Sequence, residues 1–106
     1  MTPRRLRIGH RVVDITKSEL QDDRIGEYSY REAEVRIQSG LKPDIEAVTL
    51  LHEIFHHFLA ESGRNADMTP EQEEAEVTFW ASSVAAMIAD NPIVAAYLVR
   101  STAEIE

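Results

Sequence analysis

Residues 4 to 15 alternate in polarity, with Leu6, Ile8, His10 and Val12 on one side and Arg5, Arg7 and Arg11 on the other. That period of two predicts one half-buried strand or two. The apolar set changes face at Val12-Val13 and continues through Val13 and Ile15 around Asp14, which predicts a bulge or strand break at that step. Residues 16 to 25 read as a polar connection. After Gly26 come Tyr28 and Tyr30, then Ala33, Val35 and Ile37 alternating with Glu34, Arg36 and Gln38. This pattern predicts a second strand pair, a hairpin turning near Ser29 to Glu32.

Beyond Ser39-Gly40 the period becomes helical. Pro43 stands in a first turn with Asp44 and Glu46 near the positive end of the helix dipole. Ile45, Val48, Thr49, Leu51, His52, Phe55, His56 and Leu59 follow at steps of three and four, and Ser62-Gly63 supplies a stop. Thr69-Pro70-Glu71-Gln72 is a capping box that opens a second helix carrying Val77, Trp80, Ala81, Val84 and Ile88. Asp90-Asn91-Pro92 ends it and starts a short closing helix, apolar at Ile93, Val94, Tyr97 and Leu98 and running to about Ser101. No internal repeat or low-complexity stretch interrupts this order. The fold class is α+β, and 106 residues suit one domain over residues 1–106, so any site is assembled from one small core.

Composition narrows the partners. With 43% hydrophobic and 28% charged residues the chain reads as a soluble globular protein, not a disordered one. No apolar run approaches the roughly 18 residues a membrane helix needs, and Met1-Thr2-Pro3-Arg4-Arg5 leads into alternation, not a signal-peptide core. A cytoplasmic location without membrane association is expected. The formal charge of -8 argues against nucleic acid, because phosphate neutralisation needs clustered Lys and Arg. Arg4, Arg5, Arg7 and Arg11 do cluster, and the plainer explanation is a solvated strand face. No cysteine is present, so any zinc has to sit on histidine and carboxylate.

The chemistry concentrates in His52-Glu53-Ile54-Phe55-His56. Residues four apart on a helix share a face, so His52 and His56 can aim their imidazoles at one zinc ion. Glu53, one position round, lies beside that point, where a carboxylate takes a proton from water and returns it to a leaving amine. Apolar Leu50, Leu51, Ile54 and Phe55 are there to bury one side of the helix. A third ligand is required, and Glu73, Glu74 and Glu76 at the start of the next helix are the candidates. Glu74 is preferred, then Glu73, because both can face the core, while Glu76 stands nearer the edge of the apolar stripe. At most one is needed, since acids in a first turn are also stabilised by the dipole. His57 points about a quarter turn from His56 and reads as a surface histidine; His10 reads as structural. Tyr28 and Tyr30 can donate to a developing oxyanion if their strand borders the cleft, although a core or edge role explains each as well.

Ile37-Gln38-Ser39-Gly40-Leu41, Thr49-Leu50-Leu51-His52-Glu53-Ile54-Phe55-His56-His57, Glu73-Glu74-Ala75-Glu76-Val77 and Asp90-Asn91-Pro92, in that order and spacing, make most of residues 26 to 92 resemble the ImmA/IrrE-type metallopeptidases of phages and mobile elements. The small members of that group are called minigluzincins. The resemblance implies a zincin-like, minimal gluzincin fold: a small three-stranded antiparallel or mixed sheet packed on an active-site helix, and a second helix contributing a glutamate ligand. It carries over directly to His52, Glu53 and His56. Larger relatives add a DNA-binding or sensor domain and have glycine where this chain has Phe55.

The expected function is therefore zinc-dependent hydrolysis of a peptide bond in a cytoplasmic or phage protein. Zn2+ would be held by His52, His56 and Glu74, with Glu53 as general base. The alternative is a zinc-bound regulatory or protein-binding module with weak or no catalysis. A third reading, a non-metal helical protein with an accidental motif, predicts stability that survives chelation.

Overall fold

The fold is described from a computed structural model covering residues 2–102. Strands β1 (Arg5–Ile8) and β2 (Arg11–Ser18) form an antiparallel hairpin in which Ile8 faces Arg11 across Gly9-His10. Gly9 takes φ 63 in this turn, a left-handed position that glycine adopts without a Cβ clash. The break in the alternation thus falls at Gly9-His10 and not at Val12-Val13. Cross-strand partners share a face of the sheet. Leu6 opposite Val13 therefore lies on the core side, and Val12 opposite Arg7 lies on the other. Val13 and Ile15 are buried, whereas Val12 is 44% exposed and His10 lies open to solvent in the turn. β2 also runs on to Ser18, which shortens the polar connection expected from residue 16.

Strands β3 (Gly26–Ser29) and β4 (Glu34–Gln38) form the second antiparallel hairpin, its turn falling on residues 30–33, one later than the expected span. β4 lies parallel to β2, with Ile15 beside Val35, giving a four-stranded mixed sheet of order β1-β2-β4-β3. The sheet has one strand more than the three implied by resemblance, because β1 folds back as an outer arm. Val13, Ile15, Val35 and Ile37 make its apolar core, with Leu6, Tyr28, Leu41 and Leu50 packed against them. Each such aliphatic side chain contributes about 1.5–3 kcal/mol on full burial.

Helix α1 (Pro43–Ser62) starts at the expected proline and stops at Gly63, which is left-handed at φ 76. It lies against β3 and β4. A 3-10 turn, Arg64–Asp67, leads to helix α2 (Pro70–Asp90). Both bonds of the capping box are made: Gln72 N–H donates to Thr69 Oγ1 at 3.1 Å, and Thr69 N–H donates to Gln72 Oε1 at 2.9 Å. α2 packs on α1 and buries Val77 and Ala81. Helix α3 (Pro92–Thr102) leaves α2 through a bend of 104°. Among the described residues no single helix is long and apolar enough to cross a membrane.

One feature of α1 runs against its apolar pattern. The buried residues of the helix are Thr49, Glu53 and His57, which recur every four residues and so form one stripe. Leu50, Leu51, Ile54 and Phe55, expected to supply the buried side, are only half-buried. A polar stripe takes the most enclosed position in the layer between sheet and helix.

Candidate metal centre

His52 and His56 present themselves one turn apart on α1, with ring centroids 5.0 Å apart. Glu74, in the second turn of α2, reaches across to both. Its Oε1 lies 2.8 Å from His52 Nε2 and its Oε2 lies 3.1 Å from His56 Nε2. The three residues offer ligand atoms that all fall within 4.8 Å of one another, and the group can hold a metal ion. Two imidazole nitrogens and one carboxylate are a donor set suited to a first-row divalent ion, with further positions left for water or substrate. Burial holds the His52 imidazole below its ordinary pKa against the opposing pull of Glu74. A neutral ring keeps a lone pair available to a metal.

Glu73, the second choice for third ligand, takes a different place. Its Oε2 lies 2.6 Å from Nδ1 of His56, on the ring nitrogen opposite the one that faces Glu74. A carboxylate at Nδ1 fixes the tautomer with its proton there and directs the Nε2 lone pair into the group, the usual arrangement around metal-binding histidines. Glu76 is turned away: its Oε1 accepts from Trp80 Nε1–H at 3.0 Å. The acidic run thus divides into a residue in the donor group, a residue that orients a donor and a residue outside, a partition that adjacent helix positions impose by pointing in different directions.

Glu53 is not at the surface but 6% exposed. Burial is the main reason its pKa rises from 4.5 to about 7; His56 draws it down, and the nearby Glu74 and Glu27 push it further up. The carboxylate lies against the first residue of β3. A Cβ built on Gly26 would come within 2.7 Å of Glu53 Oε2 and 2.6 Å of Thr49 Cγ2. Gly26 is therefore needed for close approach of strand to helix. The sequence carried only a weak signal of this kind, a glycine beside a strand run, which can mark a place where another element comes close. Gly26, Thr49, His52, Glu53, Glu74 and Thr78 share the wall of an open cleft of about 370 Å³. His52, Glu53, His56 and Glu74, separated by up to 22 positions in the chain, are thus brought to one place.

His57 corrects the sequence reading most directly. It is fully buried, not on the surface, because α1 turns its Thr49, Glu53 and His57 side toward the sheet. Its Nδ1 lies 2.7 Å from the Tyr28 hydroxyl on β3, while its Nε2 is enclosed without a partner among the described residues. Burial lowers the His57 pKa and raises that of Tyr28 to about 12, so both are neutral near pH 7. Tyr30 stacks near His57 with centroids 6.4 Å apart, and the Arg11 guanidinium sits 4.0 Å over the Tyr30 ring. Tyr28 therefore ties strand to helix through His57, and its hydroxyl is engaged there. His10 joins none of these contacts.

Comparison of the sequence with protein-family models and with curated proteins finds no match.

Proposed function

We propose that the chain is a zinc metallopeptidase of minimal gluzincin type, akin to the ImmA/IrrE-type enzymes of phages and mobile elements, acting on a peptide bond of a cytoplasmic protein. The observation that carries this reading is the convergence of His52 Nε2, His56 Nε2 and the Glu74 carboxylate on one point, with the Glu53 carboxylate in the same cleft wall. Zinc, when bound, supplies a Lewis acid that polarises a carbonyl and makes water acidic near neutral pH. His52, His56 and Glu74 are the ligands of this proposal, and Glu73 holds His56 in the required tautomer. Glu53 serves as the general base: it accepts a proton at its carboxylate as water attacks and returns that proton to the departing amine. A carboxyl whose pKa stands at about 7 exchanges protons readily near neutrality, and a dication beside it would draw that value down.

A second reading is favoured by the enclosure of Glu53, whose carboxylate is wedged against Gly26 and only 6% exposed. Here the metal group stabilises a binding module whose cleft does not admit a peptide. Zinc content per chain, by elemental mass spectrometry of protein purified without added metal, tests what both readings share. One zinc per chain, lost in His52→Ala, is expected; no zinc after reconstitution refutes both. Glu53→Gln then separates them, keeping the metal and lowering peptide hydrolysis by roughly 10²–10⁴-fold if the base acts as stated. Zinc-loaded protein that cleaves no peptide in a diverse library leaves the binding module.

A further inference from the structure

Helix α3 has no part in the hydrolytic reading, and it buries none of its described residues. Ile93, Tyr97 and Val99 are 84%, 56% and 72% exposed. Ile93, Tyr97 and Arg100 recur at steps of four and three, which puts them on one face with Ala96 between. A helix of 11 residues is marginal by itself in water. This one presents an apolar face that no other described residue buries.

The same chain offers a surface of the opposite shape. A groove of about 450 Å³ runs between α1 and α2, walled by Ala47, Leu51, Ile54, Ala85, Ile88 and Ala89, and no residue of α3 lines it. Its walls are almost wholly apolar, and the three alanines leave room for another helix to approach closely. Asp44 is the one charged residue on its lining, as Arg100 is the one charged residue on α3. Neither takes part in an ion pair among the described residues. The 104° bend at Asn91-Pro92 directs α3 off the line of α2.

We propose that two copies of this chain associate about a twofold axis, α3 of each lying in the α1–α2 groove of the other. Ile93 and Tyr97 enter the groove, and Arg100 of one copy meets Asp44 of the other. A second copy supplies both the convex and the concave partner, and using each surface twice closes the assembly. An unrelated protein would have to match only one of them and leave the other bare. An anionic membrane surface is disfavoured by the net charge of -8 and by the single basic residue on the helix. The assembly is independent of the metal group and stands or falls without it.

Light scattering after size exclusion, on the full chain at up to about 100 µM, should give twice the 12.0 kDa of one chain. Ile93→Glu, at a position too exposed to matter to the monomer fold, should return one-chain mass with unchanged far-ultraviolet dichroism. Asp44→Arg should weaken association roughly tenfold, and adding Arg100→Asp should restore it by exchanging the charges. A one-chain mass for the parent at every concentration overturns the proposal, as does a dimer indifferent to Ile93→Glu. A monomer that instead partitions onto neutral or anionic vesicles overturns it in favour of a lipid surface, and failure of the charge exchange to restore association overturns the Asp44–Arg100 register.

Discussion

If His52, His56 and Glu74 hold zinc as proposed, removing the Glu73 carboxylate separates a residue that orients a ligand from one that is a ligand. In the fold, Glu73 Oε2 stands 2.6 Å from His56 Nδ1, with the two side chains 22% and 16% exposed, so the bond is shielded and short enough to hold the ring. Loss of such an outer partner typically costs 10–100-fold in metal affinity, about 1.4–2.7 kcal/mol. Glu73→Ala should therefore weaken zinc binding by that range. Glu73→Gln should lose less, because its amide oxygen still accepts from Nδ1–H but no longer carries charge. Glu74→Ala removes one of three converging donors and should cost more than either. Glu76→Gln, altering a carboxylate that faces Trp80, should leave affinity unchanged.

The assay is competition with a chromophoric chelator at fixed pH and salt, run on all four variants and the parent. Fixed pH matters because protons compete with the metal for the histidines. Parent-like affinity in Glu73→Ala would refute the orienting role. Unchanged affinity in Glu74→Ala together with a severe loss in Glu73→Ala would exchange the two roles and with them the assignment of the third ligand.

Three further perturbations probe the surroundings of the group. Gly26→Ala places a Cβ within 2.6 Å of Thr49 Cγ2 and 2.7 Å of Glu53 Oε2; overpacking of this kind costs about 1–3 kcal/mol, and an unmoved urea midpoint would contradict the close approach. Tyr28→Phe removes the 2.7 Å bond to His57 and leaves a second ring nitrogen enclosed without a partner, a loss of about 1–3 kcal/mol read by thermal unfolding; equal stability of variant and parent would show that the pair contributes nothing. In the metal-free protein the raised pKa of Glu53, about 7 against 4.5, means that the unfolded chain releases a proton the folded chain keeps between those values. Stability then falls as pH rises through that window, and the penalty is fully present above it, about 3 kcal/mol at most. Glu53→Gln should accordingly match the parent at the acid end and exceed it in urea unfolding at pH 8; a difference that does not change with pH would sink the linkage.

The elements whose signals are local were legible in the sequence. Pro43, Gly63, the Thr69–Gln72 box and Pro92 mark helix ends through backbone chemistry that neighbouring residues complete, and each end falls where its residue predicts. His52 and His56 meet because helical spacing alone brings them together. What needed the third dimension was harder to read. The turn at Gly9-His10 was missed because alternation looks the same through a two-residue hairpin until the cross-strand register is known. The roles of Glu73 and Glu74 depend on the angle at which α2 crosses α1, which no spacing along one helix encodes. His57 was misplaced because its surroundings, Tyr28 on β3 and Tyr30 in the turn that follows it, lie about thirty positions earlier in the chain.

The buried stripe of α1 connects these points. A helix selected for stability would turn Leu51, Ile54 and Phe55 toward the sheet along with Leu50; this one turns Thr49, Glu53 and His57 there beside Leu50 and leaves the apolar residues half-buried. Enclosed polar groups are costly unless partnered, and His57 Nε2 is without a partner among the described residues. The gain is positional. With His57 tied to Tyr28 and Glu53 seated against Gly26, α1 is fixed in rotation about its own axis, and that rotation decides where His52 and His56 point. Departures from local rules collect where function constrains a chain. In this protein they fall on the one helix that carries the motif, on the side facing away from solvent, so the stripe that weakens the core is also what aims the site.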